Sequence, residues 1–182
     1  MADGQGDPAL APEGEAQAQA IADRLRTRPI AAIYVTTLRR THQTAAPLAT
    51  ALGLTPQVEP RLREVFLGDW DGGLYRKMAA ERHPTYVKAH ETGDWGHIPG
   101  AETTAALRAR VEAGLVDIAA RHPDQLVAVF SHGGAIGAAL DLVTGARPNS
   151  FAGTANGAIA RLVMQGDTRI LRGFNDCAHL DG

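Results

Sequence analysis

The chain has 182 residues, 45% of them hydrophobic and 21% charged, the proportions of an ordinary globular domain with enough length to bury a sizeable core. A formal net charge of −2 excludes the electrostatic pull that drives nonspecific attachment to nucleic acid or to anionic membranes. Cys177 is the only cysteine, which excludes an intrachain disulfide and a cysteine-rich zinc site and fits a reducing, cytoplasmic setting. No apolar run is long enough to span a bilayer, and the polar, Gly-rich Met1–Pro8 stretch reads as a loop rather than a targeting segment.

Glu13 to Leu25 reads as a helix, with Pro12 suited to a first helical position and Ala18, Ile21, Ala22 and Leu25 forming its apolar stripe. Ile30 to Val35 is a β-favouring run. The next helix starts near Leu38, bends at Pro47 and stops before Gly53, a residue suited to the left-handed position after a helix. Gln57 to Glu64 is expected to be a second strand or extended segment. Leu74 to Gly100 is less regular and should hold one helix and a loop. Thr103 to Arg121 is amphipathic, with Leu107, Val111, Leu115 and Ile118 at helical spacing.

Leu126 to Phe130 is expected to be the most buried strand, followed by a helix from Ala135 to Leu142 that Gly145 ends. Ala158 to Met164 and Thr168 to Phe174 should pair as a hairpin around Gln165-Gly166-Asp167. Strands alternating with helices define an α/β fold, a three-layer αβα domain with a mixed, mostly parallel sheet.

The chemistry gathers at strand ends. Ser131-His132-Gly133-Gly134 follows a strand and opens a helix, so amides and the helix dipole point at whatever binds there, favouring an anion. Arg40 opens the helix after another strand, and its planar fork suits a phosphate. Glu64 closes an extended segment before a Gly/Trp/Gly loop, where a buried carboxyl could protonate a leaving oxygen. Taken singly, Arg40 would pass for a solvated helix residue and Glu64 for a surface glutamate. A Ser131–His132 hydrolase is excluded, because Gly-x-Ser-x-Gly is absent and adjacent residues cannot form the nucleophile–base pair.

It is the order of the segments that carries a family likeness. Arg40-Thr41-His42-Gln43-Thr44-Ala45, then Leu62-Arg63-Glu64 with Gly68-Asp69-Trp70-Asp71-Gly72, then Gly100-Ala101-Glu102-Thr103, Ser131-His132-Gly133-Gly134 and Asn156-Gly157-Ala158-Ile159 together resemble the histidine phosphatase superfamily, the phosphoglycerate-mutase-like proteins. Asp7-Pro8-Ala9-Leu10 through Gly14-Glu15-Ala16-Gln17-Ala18 resembles the approach to that family's first helix, so the likeness runs almost end to end. It implies that Arg40 and Gly133 bind the phosphate, that Glu64 is the proton donor, and that His132 is the second pocket histidine. It implies a small phosphorylated substrate, with no metal, no cofactor, no nucleic acid and no membrane.

The family's first strand ends in Arg-His-Gly and carries the nucleophilic histidine. The chain begins at Met1, six residues before Asp7, and none of its seven histidines follows an early strand. The resemblance therefore implies one domain over residues 1–182 that is N-terminally truncated, with Met1 an internal residue of a longer protein and the first central strand missing. In the family fold that strand lies between the one ending at Ser131 and the one starting at Ala158, so its loss would leave two strand edges facing a gap. Unpaired buried backbone groups cost about 1–3 kcal/mol each. The expected function is a phosphomonoester hydrolase working through a phosphohistidine, with the nucleophile outside this chain and the 182-residue chain itself inactive. The alternatives are a noncatalytic phosphate-binding pseudophosphatase and a cofactor-dependent, phosphoglycerate mutase-type phosphotransferase. The short span between Glu64 and Glu102 favours phosphatase over mutase. Substrate identity and oligomeric state are not legible.

Overall fold

A computed structural model describes residues 5–181. Its elements follow the alternating pattern: α1 (Pro12–Leu25), β1 (Ile30–Val35), α2 (Arg39–Leu52), β2 (Gln57–Val58), α3 (Leu74–Ala80), α4 (Pro84–Thr92), α5 (Thr104–Arg121), β3 (Leu126–Val129), α6 (Gly133–Thr144), β4 (Ile159–Gln165) and β5 (Thr168–Asp176). The helix ends sit where the sequence places them. Pro12 opens α1, Thr103 caps α5 by accepting from the Ala106 amide, and Gly53 and Gly145 take the left-handed conformation just past α2 and α6. Pro47 is accommodated inside α2.

Strand β1 is the spine of the domain. Ala32 and Tyr34 point into a cluster with Leu107, Val111, Ile118, Ala135, Ala138 and Ala139 of α5 and α6. Ile33 and Val35 point the opposite way, against Ala22, Ala45, Leu48 and Ala49 of α1 and α2. This period-2 alternation between two apolar layers is what a strand covered on both faces requires.

The strands form two sheets. One has the order β2-β1-β3 and is parallel throughout, with Tyr34 opposite both Gln57 and Val129; the other is the antiparallel β4-β5 hairpin. Both sheets lie between the same helices. Strand β4 packs against α5 and β5 against α6, Arg169 of β5 reaches Glu112 of α5 at 2.6 Å, and Gly157 just before β4 lies against Gln17 of α1. Gln165 at the end of β4 donates to Asp124, just before β3, at 3.0 Å. The two sheets are therefore held in one layer, yet among the described residues no ladder joins β3 to β4.

That arrangement corrects the expectation for β3. The strand is not the most buried one: Leu126 is 42% and Val129 37% exposed, while Ile33 of β1 is fully buried. An apolar run reads as buried in sequence, but burial depends on a neighbour along each edge, and among the described residues β3 is paired only with β1. Two other expectations need amendment. The segment from Gln57 to Glu64 is a two-residue strand followed by a 3₁₀ turn at Pro60–Leu62, because Pro60 supplies no amide to a ladder. The stretch from Leu74 to Gly100 holds two short helices and a 3₁₀ turn at Trp95–His97 rather than one helix and a loop.

Candidate active site

Three elements end at one place. Strand β1 runs into Thr36 and the start of α2, which presents Arg40; β3 runs into Ser131 and His132 at the start of α6; the turn after β2 delivers Glu64. The geometry brings together the three side chains singled out in the sequence. Arg40 Nε donates to His132 Nδ1 at 3.2 Å. Glu64 Oε1 accepts from the amides of Val65 at 2.9 Å and Gly134 at 3.0 Å, so the carboxyl sits on the N-terminus of α6, two residues past His132. A Cβ on Gly134 would lie 2.5 Å from that oxygen, so this seat for the carboxyl requires glycine. Gly133, by contrast, is exposed, with open space where a side chain would be.

The protonation states follow from the surroundings. Burial pushes the Glu64 carboxyl above the ordinary carboxylate range, outweighing the Val65 amide, the Arg40 charge and the α6 amides that favour its ionised form. Part of the residue still meets solvent, but its carboxyl is set deep. His132 is only 7% exposed, and burial, then the charges of Arg40 and Arg110, hold its imidazole down at about 3. The site thus pairs a carboxyl whose hold on its proton is strengthened by burial with a charged guanidinium and a ring held toward its neutral form.

Several residues that shape the site were not singled out in the sequence. The segment from Gln5 to Asp7 lies across it. Buried Gln5 donates to the carbonyls of Glu64 and Val65, Arg40 Nη1 donates to Gly6 O at 3.1 Å, and Asp7 accepts from the Arg39 amide at 2.8 Å, satisfying the start of α2, which has no side-chain cap of its own. Thr36 and Thr41 contact His132 through a chain of hydroxyls. Arg110 uses its guanidinium on five acceptors: the carbonyls of Arg61, Arg63 and Glu64 and both oxygens of Glu102. Glu102 in turn accepts from the Phe66 amide at 2.8 Å. This brace fixes the backbone that carries Glu64. Nothing local in the sequence marks it, since Arg110 lies within an unremarkable polar face of α5.

Other candidates are placed elsewhere. Ser131 Oγ donates to Leu62 O at 2.6 Å, which leaves no nucleophile for a Ser–His pair. His42 binds the Thr36 carbonyl, His83 caps α4, His122 meets Tyr34 and His179 meets Gly157.

The strand ends of this α/β domain thus gather a guanidinium, an imidazole, a carboxyl and a helix N-terminus, an arrangement that favours an anion at the sheet edge. The sequence profile of the histidine phosphatase superfamily (branch 1) matches residues 1–177, and the chain belongs to that family. It is 30% identical over 98% of its length to a protein named probable phosphoglycerate mutase GpmB from Yersinia enterocolitica, covering 86% of that protein. It is 32% identical over 74% of its length to the glucosyl-3-phosphoglycerate phosphatase of Mycobacterium tuberculosis, covering 64% of it. The solved native structure of a mycobacterial glucosyl-3-phosphoglycerate phosphatase superposes with a TM-score of 0.82 at 27% identity, over 95% of this chain and 90% of that one. Bacillus stearothermophilus YhfR shares the fold, with a TM-score of 0.85 at 22% identity over 97% of this chain and 90% of that one.

Proposed function

We propose that this domain hydrolyses a small phosphomonoester through a phosphohistidine intermediate, with the nucleophilic histidine supplied by a strand that is not part of residues 1–182. The observation that carries the reading is the meeting of Glu64, whose carboxyl pKa is raised by burial, with Arg40 and His132 at one sheet edge. In the first step a histidine nitrogen attacks phosphorus and the bond to the ester oxygen breaks. Glu64, whose Oε1 is held by two amides, gives the proton on its other oxygen to the departing alkoxide. In the second step the Glu64 carboxylate takes a proton from water, the water oxygen attacks phosphorus, and the P–N bond breaks to release inorganic phosphate. Arg40, His132 and the amide end of α6 at Gly133 stabilise charge on the non-bridging oxygens, the main task in such transfers.

The source of the nucleophile is supported by the split sheet. A strand entering parallel to β3 would pair with β3 on one side and β4 on the other, and it would end at the same sheet edge as β1 and β3. Gln5 already lies at that edge. On this reading residues 1–182 are one domain lacking its central strand. A phosphatase is favoured over a mutase-type phosphotransferase by the short Glu64–Glu102 span and by the likeness to a solved phosphatase structure, while the sequence relatives carry both names. The lone Cys177 supports a cytoplasmic setting, and among the described residues no helix is long and apolar enough to cross a membrane.

A second reading, phosphate binding without turnover, is favoured by one observation: among the described histidines only His132 contacts the Arg40–Glu64 site. One experiment separates the two. A chain extended by an apolar strand ending in Arg-His-Gly is expected to release p-nitrophenol from p-nitrophenyl phosphate without added metal, and His132→Ala should lose most of that turnover. Full activity in His132→Ala would contradict the role given to His132. An inert extended chain that still binds phosphate would favour the second reading.

A further inference from the structure

The hydrogen bonds around His132 can be directed without ambiguity. An arginine donates and never accepts, so Arg40 Nε at 3.2 Å makes His132 Nδ1 an acceptor with no proton. The ring proton is therefore on Nε2, which donates to Thr36 Oγ1 at 2.8 Å. Thr36 Oγ1 also receives the Leu38 amide at 3.2 Å and passes its own proton to Thr41 Oγ1, 3.2 Å away. Thr41 accepts as well from the Thr36 amide at 3.1 Å and donates to Leu38 O at 2.8 Å. Thr36 is fully buried and Thr41 nearly so, so no water competes for these positions. The direction of each proton from Arg40 to the Leu38 carbonyl is fixed.

We propose that Thr36 and Thr41 are positioning residues that lock His132 as its Nε2–H tautomer, so that an oxyanion entering the site binds together with one proton taken up at Nδ1. The inference rests on the anion-site reading above and deepens it. Nδ1 presents its lone pair to Arg40. Arg40 gains more from a charged oxygen than from a neutral ring nitrogen, so an arriving dianion draws the guanidinium away. Nδ1 would then face a second acceptor, and only protonation turns it into a donor. Nε2 cannot serve, because it is already committed to Thr36. The charged groups acting on the ring are Arg40 from α2 and Arg110 from α5; the titratable Glu64 carboxyl sits on the Gly134 amide at the N-terminus of α6, and Asp7 lies 3.9 Å from Arg40. The two guanidiniums oppose protonation of the ring, and a bound dianion offsets them.

Sulfate is the probe, because it carries no titratable proton in the working range. Calorimetry of sulfate binding to the 182-residue chain, in two buffers of different ionisation heat, should show close to one proton taken up per sulfate at mildly acid pH. The affinity should fall by up to about tenfold per pH unit as pH rises from the titration of the free ring toward that of the ring in the complex, and level off above the latter. Nitrogen-15 shifts of His132 should report the Nε2–H tautomer in the free protein and protons on both nitrogens in the complex. Thr36→Val should weaken sulfate roughly tenfold and Thr36→Ser should restore it. Sulfate binding with buffer-independent heat would overturn the coupling and leave the anion site standing; no sulfate binding at all would overturn both. If Thr36→Val does not fold, the wild-type nitrogen-15 spectrum still decides, since a proton on Nδ1 in the free protein contradicts the proposal.

Discussion

Replacing Glu64 by glutamine in the strand-extended chain is expected to lower turnover of an alkyl phosphomonoester by about 10²–10⁴-fold, the usual contribution of a positioned proton donor. The loss should be much smaller for p-nitrophenyl phosphate, whose leaving group departs without help. The two substrates therefore separate a lost acid from a damaged site. Stability should move the other way. Because the folded-state pKa of Glu64 lies above its unfolded value, the stability its protonated form supplies is fully present below the unfolded pKa. It is lost as pH rises through the folded pKa. Glutamine keeps the oxygen that accepts from Val65 and Gly134 and never ionises. The variant should thus be at least as stable as the parent at pH 7 in urea unfolding, and the gap should close toward pH 4. A variant that is less stable at neutral pH, or equally slow on both esters, would mean that the carboxyl is structural.

The second large effect is expected at the split sheet. Five or so residues of strand inserted beside β3 would satisfy backbone groups on two edges and cover Leu126 and Val129. With each net hydrogen bond contributing about 1 kcal/mol, and buried apolar surface adding to it, the gain should be roughly 5 kcal/mol. For a domain of this size that is a rise in Tm of about 10–20 °C. Fusing an apolar strand ahead of the chain and following amide exchange tests it. Protection should appear at β3 (126–129) and β4 (159–165). The same segment with prolines at alternate positions should give neither protection nor stability. An unchanged Tm with the unbroken strand would show that β3 and β4 do not receive it.

Helices α1, α2, α5 and α6 were legible because their signals are local: Pro12, Thr103, Gly53 and Gly145 mark ends whose geometry needs those residue types. The alternation of β1 was legible for the same reason. Burial of β3 was not, because Leu126-Val127-Ala128-Val129 reads alike whether an edge is paired or bare. The chain does not stay extended after Val58, because Pro60 and the Glu59 side chain, which accepts from the Arg61 amide, close a turn there. At the site, Arg40, Glu64 and His132 stood out because their order matches a family pattern. Thr36 lies 96 residues from His132, and Arg110 lies 46 from Glu64. Their roles arise only when the fold brings distant segments together, and no spacing rule announces them.

The claim on which everything else depends is that Arg40, Glu64 and His132 surround one anion. A crystal structure of this chain grown with tungstate tests it most directly. The account predicts an ion whose oxygens accept from the Arg40 guanidinium and His132 Nδ1, lying at the amide end of α6 with the Glu64 carboxyl facing it. Tungstate bound elsewhere, with Arg40 still on His132 Nδ1 and Gln5 to Asp7 unmoved across an empty site, would contradict it.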